Sequence, residues 1–138
     1  MKLKTYSDGA SRGNPGHAAI AYMILDENDK VLRKHSEYIG VKTNNQAEYE
    51  ALISTLKAAL ELKSTELSHH MDSELIVKQL NGEYKVRDNE LKELWRRTQE
   101  LKKKLREVTF THSPRTDRHI QEVDKLANQT LNKASNII

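Results

Sequence analysis

Four carboxylates in this chain occupy positions where apolar or neutral side chains would be the ordinary choice. Glu48 has Leu52, Thr55 and Ala59 at i+4, i+7 and i+11, so it opens a helix face that reads as buried. Asp124 follows Ile120 by four residues and precedes Ala127 and Leu131 at i+3 and i+7, the same situation in the last helical segment. Asp8 closes the first strand pattern just before a glycine-rich turn, and Asp72 stands where a strand should pass into a helix. Singly, each has a structural reading: a stripe edge for Glu48 and Asp124, an N-cap for the Asp72-Ser73 pair. Together they suggest chemistry. Ligands of α/β sheets gather at the carboxyl ends of strands and the adjoining helix starts. Four acids meeting there would repel one another unless cations bridged them. Oxygen donors without cysteine favour hard ions, Mg²⁺ or Mn²⁺. Two such ions about 4 Å apart suit the activation of water and the stabilisation of a leaving oxygen in phosphodiester cleavage.

The elements that must position these acids follow from pattern and punctuation. Residues 2–8 read as a strand ending in the turn-rich stretch Gly9–Gly16, which holds three of the five glycines and one of the two prolines. Ala18–Leu25 and Val31–Ile39 read as two further strands joined by the polar turn Asp26–Lys30. Asn44 to Leu62 reads as a helix opened by a Thr-Asn-Asn cap. Residues 66–71 are short and ambiguous, more polar than a central parallel strand should be. A helix starts near Asp72 and stops at Asn81-Gly82. Asn89 to Leu105 is the clearest helix, with Leu91, Leu94, Trp95, Thr98, Leu101 and Leu105 on one stripe and Lys92, Arg96, Lys103 and Lys104 off it. Val108–Thr111 reads as the last strand and Ile120 to about Lys133 as the last helix. The order β-β-β-α-β-α-α-β-α predicts an α/β fold: a five-stranded mixed sheet, three antiparallel strands then two parallel, with helices on both faces.

Composition bounds the function. The 138 residues make one domain, 1–138, with 36% hydrophobic and 31% charged residues and a mean hydropathy of −0.80. The longest apolar run, Ala18–Leu25, is far below the ~20 residues that span a bilayer, and no signal-peptide pattern precedes it, so we expect no membrane partner. Absence of cysteine excludes disulfides and thiolate chemistry, and fits a cytoplasmic protein. Residues 85–118 carry 11 basic and 6 acidic side chains, while residues 1–84 carry 10 and 12. That basic segment fits a polyanion contact or a solvated helix face.

The motifs around the acids resemble those of type 1 ribonuclease H. Tyr6-Ser7-Asp8-Gly9-Ala10-Ser11-Arg12-Gly13-Asn14-Pro15-Gly16 is similar to the family's opening motif, and Thr43-Asn44-Asn45-Gln46-Ala47-Glu48-Tyr49-Glu50-Ala51-Leu52 to its second. Met71-Asp72-Ser73-Glu74-Leu75-Ile76-Val77-Lys78-Gln79-Leu80 resembles the third, and His112-Ser113-Pro114-Arg115 with Val123-Asp124-Lys125-Leu126-Ala127-Asn128 the fourth. The likeness covers almost the whole chain, in order. It implies a ribonuclease H-like fold and endonucleolytic hydrolysis of the RNA strand of an RNA–DNA hybrid, leaving 5′-phosphate and 3′-hydroxyl ends. Two Mg²⁺ ions, or Mn²⁺ in their place, would be held by Asp8, Glu48, Asp72 and Asp124. Asp8 would bridge both ions, Glu48 and Asp72 would hold one, and Asp124 would complete the other. Asn14, Thr43 and Asn44 match positions that resemble the family's contacts to DNA-strand phosphates. Asn45 and Gln46 fall where the RNA strand is read, and Glu74 follows a position near the 2′-hydroxyls.

The chain also departs from the family pattern. A mobile loop histidine that aids product release precedes the last acid in many members; here Arg115, Arg118 and His119 compete for that role, and His119 also suits a helix cap. Ile120 stands where a polar residue is usual. His69 and His70 are not read as ligands, because adjacent strand residues face opposite ways. The basic protrusion of some members is missing, and Lys92, Arg96, Lys103 and Lys104 are expected to replace part of it in holding the hybrid. Trp95 is read as core. We expect a monomer, and 138 residues leave no room for an added hybrid-binding module. The rival readings are a nuclease acting mainly on double-stranded RNA and a non-catalytic hybrid-binding module.

Overall fold

Two short turns, at 14–15 and 26–30, fold the first three strands into an antiparallel meander, and helices then carry the chain to two parallel strands. A computed structural model describes residues 1–135; the last three residues of the expected 1–138 domain lie outside the described residues. The elements are β1 (Lys2–Gly13), β2 (Gly16–Leu25), β3 (Val31–Lys42), α1 (Asn44–Glu61), β4 (Glu66–Met71), α2 (Glu74–Leu80), α3 (Asn89–Lys102), β5 (Glu107–His112) and α4 (Arg118–Ser135). The sheet order is β3-β2-β1-β4-β5, with β1 antiparallel to β2 and parallel to β4, and β4 parallel to β5. None of the described helices is long and apolar enough to cross a membrane.

The strand β2 shows how the layers are built. All eight residues from Ala18 to Leu25 are buried, because both faces of the sheet are covered. Tyr22 and Ile24 join Leu52, Ile53 and Leu56 of α1 in one core. Ala21, Met23 and Leu25 point the other way and pack with Ile120, Val123 and Ala127 of α4. The helices α2 and α3 add Ile76, Leu80 and Leu94 to the α1 side.

Several boundaries differ from the sequence reading. The expected turn Gly9–Gly16 is mostly strand: β1 continues through Gly13, paired with β2 up to Gly13↔Gly16. Gly9 is needed for its missing side chain, since a Cβ there would lie 2.2 Å from the Ala47 carbonyl carbon. Asp8 is therefore inside a strand instead of closing one. The ambiguous segment 66–71 is a strand, and its polarity is absorbed internally: buried His69 meets the hydroxyls of Thr5 at 2.8 Å and Ser7 at 3.0 Å. The strand β3 runs on to Lys42 past the expected end at Ile39, and α3 stops at Lys102, before Leu105. The helix α4 begins at Arg118, ahead of the expected Ile120, because the Asp117 carboxylate accepts the N–H groups of His119 and Ile120 at 2.8 and 3.1 Å.

Candidate active site

Register brings the first two acids together. The pairing of β1 with β4 ends at Tyr6↔His70, and Asp8 and Asp72, each two residues further on, line the same cavity at that end of the sheet. The helix α1 opens beside them. Thr43 caps it in a reciprocal box with Gln46, and the close approach permitted by Gly9 lets Glu48 accept the Gly9 N–H at 2.6 Å. The helix α4 contributes Asp124 from the opposite face of the sheet. The four carboxylates line one cavity of about 360 Å³ together with Asn44 and Arg115.

Ser73, not Asp72, caps α2, accepting the Ile76 N–H at 3.3 Å. The capping alternative for Asp72 is thereby removed, and its carboxylate faces the cavity. Asp124 does not lie on the inward stripe as its spacing suggests: Val123, Ala127 and Leu131 are buried while Asp124 is exposed at the mouth of the cavity. The helical drift of the stripe leaves position 124 at its edge.

Electrostatics mark the cluster as a place where ordinary ionisation is resisted. Burial, followed by the charge of Asp124, pushes the Asp8 carboxyl up to about 7. Glu48 is raised well above the usual carboxylate range by burial first and by Asp8 and Asp72 after it; the Gly9 N–H works in the opposite direction. The Arg115 guanidinium donates to Asp72 at 2.9 Å but is 90% exposed, so it offsets only part of the repulsion.

The structure brings some of the expected substrate residues to the cavity and leaves others outside it. Asn44 lines it, and its N–H donates to the Asn14 side-chain oxygen at 3.0 Å, which ties the β1–β2 turn to the start of α1. Thr43 and Gln46 are engaged in the cap, and the Gln46 amide also donates to Glu90 of α3. Asn45 sits half-buried in the same first turn. Glu74 turns away to Lys78 at 3.1 Å. Of the loop candidates, Arg115 reaches the cavity, whereas His119 lies against the Tyr6 ring with centroids 4.6 Å apart and is not among the lining residues. Arg118 does not line it either. His70 stacks on Tyr6 at 4.8 Å and His69 is enclosed, so neither points at the acids.

Sequence reasoning missed two neighbours. The His112 imidazole stands 3.9 Å from Asp72, placed there by the pairing Met71↔His112 at the end of β5. The Asn128 amide donates to Asp124 at 2.9 Å (main-chain oxygen) and 3.3 Å (carboxylate), and lines the cavity one turn along α4. Both stand in the fourth motif; the i+4 spacing from Asp124 was the further signal for Asn128, and strand register the one that places His112 beside Asp72.

The donor set suits hard divalent cations. It is all carboxylate and amide oxygen, and its mutual repulsion is what a bound cation would relieve. Among the described residues, no group of three His, Asp or Glu is gathered tightly enough to hold an ion alone. Water and substrate oxygens would have to complete the coordination.

An acid-lined cavity at the carboxyl end of β1 and β4, on a five-stranded β3-β2-β1-β4-β5 sheet with helices on both faces, defines a protein of the ribonuclease H-like fold class. The profile of the reverse transcriptase-like family matches residues 6–130, and the chain belongs to that family and, within it, to the type 1 ribonucleases H. It is 37% identical over 133 residues to ribonuclease HI of Halobacterium salinarum, covering 96% of this chain and 66% of that protein. It is 36% identical to the bifunctional protein Rv2228c of Mycobacterium tuberculosis, over 98% of this chain and 37% of that protein. The chain thus spans about two thirds or less of these relatives. Among solved structures, RNase H1 from Halobacterium salinarum superposes with a TM-score of 0.92 at 36% identity, covering 96% of this chain and 99% of that one. LC11-RNase H1, solved in complex with an RNA/DNA hybrid, gives 0.88 at 40% identity, covering 96% and 98%.

Proposed function

We propose that this protein is an endonuclease that hydrolyses the RNA strand of RNA–DNA hybrids, leaving 5′-phosphate and 3′-hydroxyl ends. The observation that carries the reading is the set of four carboxylates around one cavity, with Asp8 and Glu48 resisting ionisation in the absence of countercharge. Asp8, Glu48, Asp72 and Asp124 would hold Mg²⁺ or Mn²⁺, which when bound supplies the charge that polarises the attacked phosphate and activates water. The chain's own groups do the rest. The Gly9 N–H fixes Glu48, and Asn128 orients Asp124. Arg115, on an exposed loop beside Asp72, can follow the phosphate as it leaves. Asn14, Thr43 and Asn44 offer short amide and hydroxyl groups for DNA-strand phosphates, which position a duplex without reading its sequence. Asn45 and Gln46 would face the RNA strand. The reading carries with it a monomer working in the cytoplasm.

The test incubates a hybrid labelled on its RNA strand with the protein in Mg²⁺, in Mn²⁺ and in EDTA, beside Asp8→Asn protein and a double-stranded RNA substrate. We expect metal-dependent cuts in the RNA strand, lost in Asp8→Asn and weaker on duplex RNA. Stronger cutting of duplex RNA would make hybrid a secondary substrate. Hybrid binding without cutting in either metal would leave a binding module.

A further inference from the structure

One layer below the acids, three aromatic rings are stacked across three elements. Tyr6 of β1 faces His70 of β4 with ring centroids 4.8 Å apart and planes 18° from parallel, and His119 of α4 lies against Tyr6 at 4.6 Å. Both separations are at the close end of the range for paired rings. Tyr6 is buried, and the two imidazoles are half-buried.

Each ring stands one step before an acid. Tyr6 and His70 precede Asp8 and Asp72 by two strand residues, about 7 Å, and His119 precedes Asp124 by five helical residues, about 7.5 Å. The helix α4 runs in the same sense as β1, since Arg12, further along the strand, donates to the Asn128 main-chain oxygen at 3.3 Å and to the Asn132 side chain at 2.6 Å. Ring layer and acid layer are therefore consecutive.

The stack also reaches both ends of the loop that carries Arg115. At the first end, the Ser113 hydroxyl meets His70 Nδ1 at 3.3 Å, while the Ser68 hydroxyl meets Nε2 at 3.1 Å. At the second, the Asp117 carboxylate accepts the His119 N–H at 2.8 Å, and the His119 ring returns to Tyr6. Ser113 is buried and Asp117 half-buried, whereas Pro114, Arg115 and Thr116 between them are exposed. Two main-chain bonds of 2.9 Å add to this: the Ser113 N–H donates to the Met71 oxygen, and the Asp117 N–H to the Pro114 oxygen. The second of these is internal to the loop. Its far end meets the sheet through His119 on Tyr6 and through Ile120 in the core.

We propose that the His70–Tyr6–His119 stack is a clamp that fixes both ends of this loop and so sets the reach of Arg115 to Asp72 and to a departing phosphate. The three rings are positioning residues. The inference rests on the reading of Arg115 as the group that follows the phosphate; the imidazoles act by shape, whatever their charge.

Tyr6 belongs to the core, so the half-buried imidazoles are the ones to change. His119→Ala should lower kcat on a labelled hybrid by about three- to tenfold, the ceiling being the loss of Arg115 itself, with KM within about twofold. His119→Phe keeps a flat ring on Tyr6 and should restore kcat to within about twofold. Added to Arg115→Ala, His119→Ala should cost less than about twofold more, because its effect passes through Arg115. In ¹⁵N relaxation of the full chain, the Ser113 and Asp117 amides, with order parameters of about 0.85 in the parent, should fall toward about 0.6 in His119→Ala and in His70→Ala, and recover in His119→Phe. Unchanged order in both alanine variants would overturn the proposal. So would a full multiplicative loss in the double variant, or a His119→Phe protein as slow as His119→Ala; either would leave the stack as core packing. The relaxation experiment needs no catalysis. A parent protein that cuts no hybrid would therefore sink the nuclease reading, while the order of the loop would still decide for or against the clamp.

Discussion

Two polar clusters share the seam between β1 and β4, and the fold treats them in opposite ways. In the middle of the seam, His69 is fully buried between Thr5 and Ser7, both ring nitrogens are satisfied, and burial lowers its pKa to about 3. The imidazole is neutral there, and the cluster behaves as part of the core. Just past it, Asp8 and Asp72 leave the paired ladder and meet Glu48 and Asp124 with one exposed arginine for countercharge. A satisfied buried polar group specifies structure. A like-charged cluster that the chain does not neutralise stores a cost that a bound cation would relieve, which is why we propose it as the site of function.

Substitutions can break that comparison, beginning with the largest effect. Asp8→Asn should lower RNA-strand cleavage of a hybrid by about a thousandfold or more, on the order of 4 kcal/mol of transition-state stabilisation, measured by initial rates on labelled substrate. Its folded stability should not fall, because a repelled carboxyl has been removed. His69→Leu should do the reverse. It leaves the Thr5 and Ser7 hydroxyls without their buried partner and should cost about 2–4 kcal/mol in urea unfolding, while cleavage below the melting range falls far less than in Asp8→Asn. Arg115→Ala sharpens the acidic side: cleavage should fall by about tenfold, with stability within about 0.5 kcal/mol because the side chain is exposed. Ser73→Ala probes the boundary between the clusters. Loss of the α2 cap should cost about 1 kcal/mol in the same unfolding assay, with cleavage nearly unchanged.

The pH dependence divides the same way. Asp8 titrates near 7 when folded against an ordinary 3.8, so between those values the folded protein holds more protons and this group makes stability fall as pH rises. His69 titrates near 3 against 6.5, so the unfolded chain holds more protons in that window and stability falls as pH drops below about 6.5. Difference curves against Asp8→Asn and His69→Leu, from urea unfolding across pH 4 to 8, should slope in opposite directions.

Much of the acid cluster was legible in the residues, because carboxylates beside apolar stripes at strand and helix junctions violate the usual placement of charge. What the sequence misplaced depended on contacts between distant segments. Gly9 reads as a turn residue, yet it pairs with Ile20 inside β1, and the approach of Ala47 explains why a glycine stands there. Asp72 and Ser73 are equal candidates for a cap until the helix start is known. Arg115 and His119 both suit the loop role by spacing, and the Tyr6 ring is what holds His119 outside the cavity. His112 stands in the fourth motif without a role of its own, and only the β4–β5 register brings it to Asp72.

The most direct test of the central claim is a thermal melt of wild type and Asp8→Asn at pH 8, each with EDTA and with millimolar Mg²⁺. Without metal the Asp8→Asn protein should melt higher than wild type, and Mg²⁺ should raise wild type selectively, closing or reversing the gap. A lower melting point for Asp8→Asn in EDTA, or a Mg²⁺ shift equal in the two proteins, would contradict the account of the four carboxylates as a cluster awaiting cations.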